Sequence, residues 1–258
     1  MSGESDKKEE LAEGTLISHL LELRDRLMRC LIAVAICAAP CLYFQNEIYD
    51  FVALPIQTQL GGAKLIATGI VSPFMAPFKL ACIVGFLIAI PYVLWQIWGF
   101  VAPGLYKHEK KFAVPLVVSS VVLFYTGVAF AYKFVFPVIF SYFIQNAPKS
   151  TQVLPDVTQY LDFVITMSLC FGVAFEVPVA VVLLVVTGII SVEKLAGARG
   201  YVLIGIFIIA ALLTPPDAVS QCIMAIPMYL LYEGGMLMAR VLMKMRLEHQ
   251  KQEEQAGS

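Results

Sequence analysis

Long apolar runs alternate along this chain with short polar stretches. Leu27 to Phe44 is the first run, with Arg29 at its edge. Leu80 to Ala102 holds 23 residues without a charge and includes Pro91. Phe112 to Tyr132 is uncharged over 21 residues and continues apolar past Lys133 to Ile144. Phe163 to Ile190 spans 28 residues with one charge, Glu176. Tyr201 to Pro216 is uncharged but short. Ala218 to Ala239 carries one charge, Glu233, and Pro227 in mid-run. A helix that crosses a bilayer needs about 20 mostly apolar residues. The pattern therefore predicts six transmembrane helices.

The stretches between them read as connections. Gln45 to Lys79 and Gln145 to Asp162 hold Pro, Gly, Asn and scattered charges, and are expected as external loops. Thr214-Pro215-Pro216-Asp217 reads as a tight turn between the last two helices. The fifth run needs a length check. Tyr201 to Leu213 is 13 residues, which is about 20 Å of helix against a hydrocarbon core of about 30 Å. Such a helix thins the bilayer, sits displaced or is shielded by partners. Ahead of the first run, Leu16, Leu20, Leu23 and Leu27 share one helical face. His19, Glu22, Asp25, Arg26 and Arg29 share the other, so an amphipathic lead-in at the interface is expected.

Composition narrows the class. The chain has 258 residues, of which 59% are hydrophobic and 14% charged, with a net charge of −1. A nucleic-acid binder would show a basic excess, and a disordered chain would be poor in apolar residues. Charge also orients the chain. Fourteen Lys and Arg fall on the side of both termini. Only Lys64, Lys79, Lys133 and Lys149 fall on the other. The positive-inside rule then makes both termini cytoplasmic. The division expected is a cytoplasmic tail and lead-in over 1–26, a transmembrane domain over 27–240 and a cytoplasmic tail over 241–258. The six cysteines lie in or beside apolar runs without a C-x-x-C pair, and read as small hydrophobes. Ala33 and Ala35 form an A-x-A, but Arg29 and the acidic lead before it suit a retained helix better than a cleaved one.

Three acids lack an obvious balancing role. Glu176 sits in mid-span beside Pro178, and an ionisable group at membrane depth is a functional candidate by default. A kink at Pro178 with an inward Glu points to a concave helix bundle with a polar spot. Glu22 could equally be one half of a solvated Glu22–Arg26 pair worth about a few tenths of a kcal/mol. Glu109 is the only acid beside Lys107, Lys110 and Lys111, where a charge-balancing surface role is the plainer reading. No nucleophile–base set, phosphate loop or metal-ligand spacing is present, so neither an enzyme nor a cofactor or metal is expected. A six-span small-solute or proton-coupled transporter remains the competing class, because a Glu near a kink is what a carrier would show.

Several stretches together resemble the TatC family, the multi-span core subunit of the twin-arginine protein translocase. They are His19-Leu20-Leu21-Glu22-Leu23-Arg24, Ser72-Pro73-Phe74, Trp98-Gly99-Phe100 through His108-Glu109, Phe175-Glu176-Val177-Pro178-Val179, Leu213-Thr214-Pro215-Pro216-Asp217 and Ile226-Pro227-Met228-Tyr229. The resemblance implies an all-α protein of the bacterial cytoplasmic membrane with six spans, the fifth and sixth short. It implies a receptor for twin-arginine signal peptides of folded cargo, driven by the proton-motive force. TatA-like and TatB-like single-span proteins would be its partners, with self-association in the complex. By motif, Glu22 and Glu109 would contact the signal peptide, with Arg24 and Phe100 in the same functional stretches. Pro55 would be a functional loop position and Glu176 the polar intramembrane one. Pro215, Pro216 and Asp217, with the last two spans, would serve partner docking.

Overall fold

A computed structural model describes residues 2–59, 65–101, 110–148, 150, 154–214 and 217–256. Among these residues the regular structure is helical, apart from one isolated parallel bridge between Ile66 and Asp156. In chain order the helices are α1 (Ser2–Tyr43), α2 (Gln45–Gln59), α3 (Ser72–Val101) and α4 (Lys110–Phe130). A π-helical turn, Ala131–Val135, leads into α5 (Phe136–Gln145). Then come α6 (Val157–Ala174), α7 (Val177–Val186), α8 (Val192–Gly197), α9 (Arg199–Leu213) and α10 (Ala218–Ala256). Five stretches are long and apolar enough to cross a membrane: Ile17–Tyr43, Ser72–Phe100, Val114–Gln145, Val157–Val186 and Ala218–Met245. The sixth, α9, is apolar but has only 15 residues.

Four sequence expectations change. The first apolar run has no separate lead-in, because α1 is continuous from Ser2 through Tyr43. The expected loop after it contains a helix, α2. Its apolar positions Ile48, Val52 and Ile56 recur at helical spacing around Pro55, and the embedded proline masks the pattern. The same loop is cut short at Ser72, where α3 begins. The run from Phe163 starts earlier, at Val157, because Asp156 caps the helix there, and it breaks into two helices at Glu176. The last helix is not short. Once the apolar part of α10 ends, its polar residues carry the helix on to Ala256.

Packing divides the chain into two units. The first is Met1–Tyr49 with Pro77–Val121. Its core includes Leu80, Ala81, Ile90, Leu94, Trp98 and Val117. The Trp98 indole N–H donates to the Ser120 hydroxyl at 2.7 Å, so both buried polar groups find a partner across α3 and α4.

The second unit is Asp50–Ala76 with Val122–Ser258. Here α10 packs along α7, with Val181, Val185, Tyr232, Met236 and Ala239 in a common buried cluster. The Tyr232 hydroxyl donates to the Leu195 carbonyl at 2.7 Å and fastens α8. Glu233, the lone acid of the last apolar run, has its partner in Arg199 at the start of α9. Nε and Nη2 reach its two oxygens at 2.7 and 3.0 Å, and the Tyr229 hydroxyl adds a bond of 2.9 Å. An acid in an apolar helix is thus matched by a fork of fixed geometry.

Prolines explain two irregular features of this unit. Pro137 has no N–H to donate one turn back, and the backbone just before it is π-helical, with the Phe136 N–H reaching Ala131 O. In the same way Pro55 cannot donate to the Phe51 carbonyl inside α2. The Tyr132 hydroxyl supplies that bond at 2.9 Å, with its ring stacked on Phe51. The next carbonyl, Val52 O, accepts from the Tyr160 hydroxyl at 2.7 Å.

Asp156 ties two connecting segments together. Its Oδ1 accepts from the Thr158 and Gln159 amides, capping α6. Its Oδ2 accepts from the Thr68 amide at 3.0 Å and the Thr68 hydroxyl at 2.7 Å. These donors, Thr68 foremost, hold the carboxyl down at about 2 from an ordinary 3.8.

Candidate functional site

The polar face of α1 turns out to be its packed face. Leu20, Leu23 and Leu27 are exposed, as suits a helix whose solvent is lipid. Opposite them, the His19 ring stacks on Phe100 near the end of α3, with centroids 4.3 Å apart and planes 16° from parallel. Farther along α1, Arg26 Nε and Nη2 both donate to Glu22 Oε1, at 2.9 and 2.7 Å. The same guanidinium reaches α3. Nη1 donates to Gln96 Oε1 at 3.2 Å and to Gln96 O at 3.3 Å, and Nη2 donates to Gly99 O at 3.3 Å. A helix end exposes carbonyls without intrahelical donors, and a cation there is favoured by both hydrogen bonding and the helix dipole.

Glycine at 99 is required by this approach. A Cβ built there would lie 2.8 Å from Arg26 Nη1. The outcome is a clasp of His19, Glu22 and Arg26 on α1 with Gln96, Gly99 and Phe100 on α3. Glu22 presents its carboxylate at the open edge, with Oε2 bonded to none of the described residues. Sequence reasoning alone reads Glu22–Arg26 as a solvated pair and misses Gln96 and Arg26 as site residues. The signal that marks them is the long-range partner, which helical periodicity within one segment does not carry.

The other expected residues distribute as follows. Arg24 does not join the clasp. It is exposed and bonds Asp25 Oδ1 through Nε at 3.1 Å and Nη2 at 2.9 Å. Phe100 belongs to the clasp through His19. Glu109, Pro215 and Pro216 lie outside the described residues. Asp217 caps α10, its Oδ2 accepting from the Ser220 amide at 2.8 Å. Pro55 lies within α2 rather than in a loop.

Glu176 stands in the second unit at the break between α6 and α7. Its amide donates to Val173 O at 3.0 Å, and the helix resumes with Pro178 in its first turn. The residue is half-buried. Around the break the packing is aromatic: the Phe130 ring lies 5.7 Å from both Phe171 and Phe175. The α4 backbone comes so close to α6 that a Cβ at Gly127 would clash with the Phe171 carbonyl. Among the described residues no group of three His, Cys, Asp or Glu is placed to hold a metal ion.

Comparison with known proteins agrees with this arrangement. The family model for Sec-independent protein translocase protein (TatC) matches residues 18–227. The Sec-independent protein translocase protein TatC of Haemophilus influenzae is 51% identical over 226 residues, which is 87% of this chain and 88% of that one. The protein of the same name from Escherichia coli (strain K12) is 50% identical over 226 residues, with the same coverage. A crystal structure described as the twin arginine translocase receptor TatC superposes with a TM-score of 0.78 at 35% identity, covering 86% of this chain and 98% of that one. By sequence and by fold, this chain is a multi-span membrane protein that belongs to the TatC family of Sec-independent protein translocase proteins.

Proposed function

We propose that this protein is the receptor subunit of a twin-arginine translocase, binding the paired arginines of signal peptides on folded cargo. The observation that carries the reading is the exposed Glu22 carboxylate, with an open oxygen beside the end of α3. Guanidinium pairs with carboxylate through short, charge-assisted and often bidentate bonds. Two adjacent arginines need two acceptors, and Glu109, from the connection that follows α3, is the second. Exposed ion pairs are worth only about 0–1 kcal/mol, so recognition requires partial desolvation. Phe100 and His19 supply an apolar wall beside Glu22 for that purpose.

The membrane is the bacterial cytoplasmic membrane, crossed six times with both termini inside. The 14-to-4 division of basic residues supports that orientation. The apolar part of the signal inserts alongside the spans, and Glu176 is the polar position it meets at membrane depth. TatA-like and TatB-like single-span proteins dock on the last two spans beside the turn that ends at Asp217, and the proton-motive force drives transport. The short α9 thins the bilayer where cargo passes, since mismatch costs rise with each unmet ångström.

Binding of a fluorescent twin-arginine peptide to the purified protein tests the reading. Binding that weakens when both arginines are exchanged for lysine, and weakens again in Glu22→Gln, is the expected result. Equal binding of the arginine and lysine peptides would sink it.

A further inference from the structure

Arg26 makes five hydrogen bonds and uses all three of its side-chain nitrogens. Its side chain is 24% exposed, against 47% for Glu22, so the arginine is the inner member of the pair and the glutamate the outer one. The direction of these bonds matters. Two donors fall on one oxygen of Glu22, and the remaining three bonds anchor the guanidinium to Gln96 and Gly99 of α3. The Glu22 side chain is therefore held in one rotamer by a group that is itself fixed. Of its two oxygens, one is taken and one faces outward.

This changes what Glu22 selects. A lone carboxylate attracts any cation through its charge, and a lysine ammonium is a compact point charge well suited to that field. With Arg26 at 2.7 Å the pair is close to neutral, and its long-range pull on cations is small. What remains is a directional acceptor at a set position, and a planar guanidinium meets such an acceptor with a fork that ammonium lacks. We infer that Arg26 is a positioning residue of the signal-peptide site, converting Glu22 from a general cation attractor into an acceptor that favours arginine over lysine. The inference rests on the receptor reading above and adds a residue that sets its specificity.

Two variants probe it along different routes. Arg26→Gln removes the fork and its charge. Gly99→Ala keeps every charge and pushes the fork aside, because the new methyl would lie 2.8 Å from Nη1. The experiment measures affinities of full-length protein in nanodiscs for a twin-arginine peptide and its twin-lysine counterpart, with thermal unfolding recorded alongside. In both variants the arginine-to-lysine affinity ratio is expected to fall by about tenfold, the worth of one charge-assisted hydrogen bond. In Arg26→Gln the lysine peptide should also bind more tightly than it does to the parent, which mere loosening of the fold would not produce. Arg26→Lys, which restores charge without the fork, should not restore the ratio. If Arg26→Gln fails to fold, the ratio in Gly99→Ala decides. A parent protein that discriminates, with variants that discriminate equally well, overturns the inference alone. A parent protein that binds both peptides equally overturns the receptor reading and the inference with it.

Discussion

Glu22 and Glu176 are the same side chain in two different physical settings. Glu22 lies at the edge of a polar clasp, held by a guanidinium and bordered by one aromatic stack. Glu176 lies at a helix break among phenylalanines, where the neighbouring backbones approach so closely that residue 127 must be glycine. The first arrangement is built from hydrogen bonds that a ligand can exchange one for one. The second is built from shape, with no slack. Recognition belongs with the exchangeable set and architecture with the close-packed one. Asp156 offers a third setting, a carboxylate whose four donors are all supplied by the chain itself.

Substitutions can break this contrast. The largest effect is expected from Gly127→Val. Overpacking against the Phe171 carbonyl should cost about 3 kcal/mol, read as loss of a cooperative thermal transition in detergent. A Gly127→Val variant as stable as the parent would mean that the helix break is not close-packed. Glu22→Ala should weaken twin-arginine peptide binding roughly 10- to 100-fold, as for loss of charge-assisted bonds, with thermal stability nearly unchanged. A large drop in stability would place Glu22 with the architectural group. Tyr132→Phe should lower stability by about 1 kcal/mol, since the Phe51 carbonyl loses the donor that substitutes for the missing Pro55 amide. Pro55→Ala should partly rescue it by restoring an amide donor.

The smallest effect at neutral pH comes from Asp156, and acid reveals it. Its carboxyl is held at about 2 in the folded protein against 3.8 for a free one. A depressed carboxyl stabilises the fold above its unfolded value, and that contribution is lost as pH falls through the folded one. Stability should therefore decline between pH 3.8 and about 2. Asp156→Asn should flatten that part of an acid-unfolding curve, and an unaltered curve would remove Asp156 from the account.

How far a sequence carries this picture depends on what each feature rests upon. Apolar run lengths are local, so the long spans and the shortness of α9 are legible from them. The acids are legible as misfits, because isolated charge in an apolar or basic stretch stands out without any partner being known. Helix α2 is hidden because Pro55 interrupts its pattern. The extension of α10 is hidden because a solvated polar helix has no apolar stripe to mark it. The clasp is hidden for a different reason. Arg26 and Gln96 are 70 positions apart, and nothing in either segment announces the other. Glu22–Arg26 looks complete as an i,i+4 pair, which conceals its third participant.

The π-helical turn at Ala131–Val135 has a consequence for how this chain tolerates change. It puts α4 and α5 out of phase, so that Phe136 and Phe140 meet Phe163 and Tyr160. Deleting any single residue of the turn would leave an ordinary helix of respectable hydropathy, yet swing everything beyond it by about 100°. A span that looks like interchangeable greasy filler is therefore counted to the residue: swaps there are forgiven more readily than a change in length.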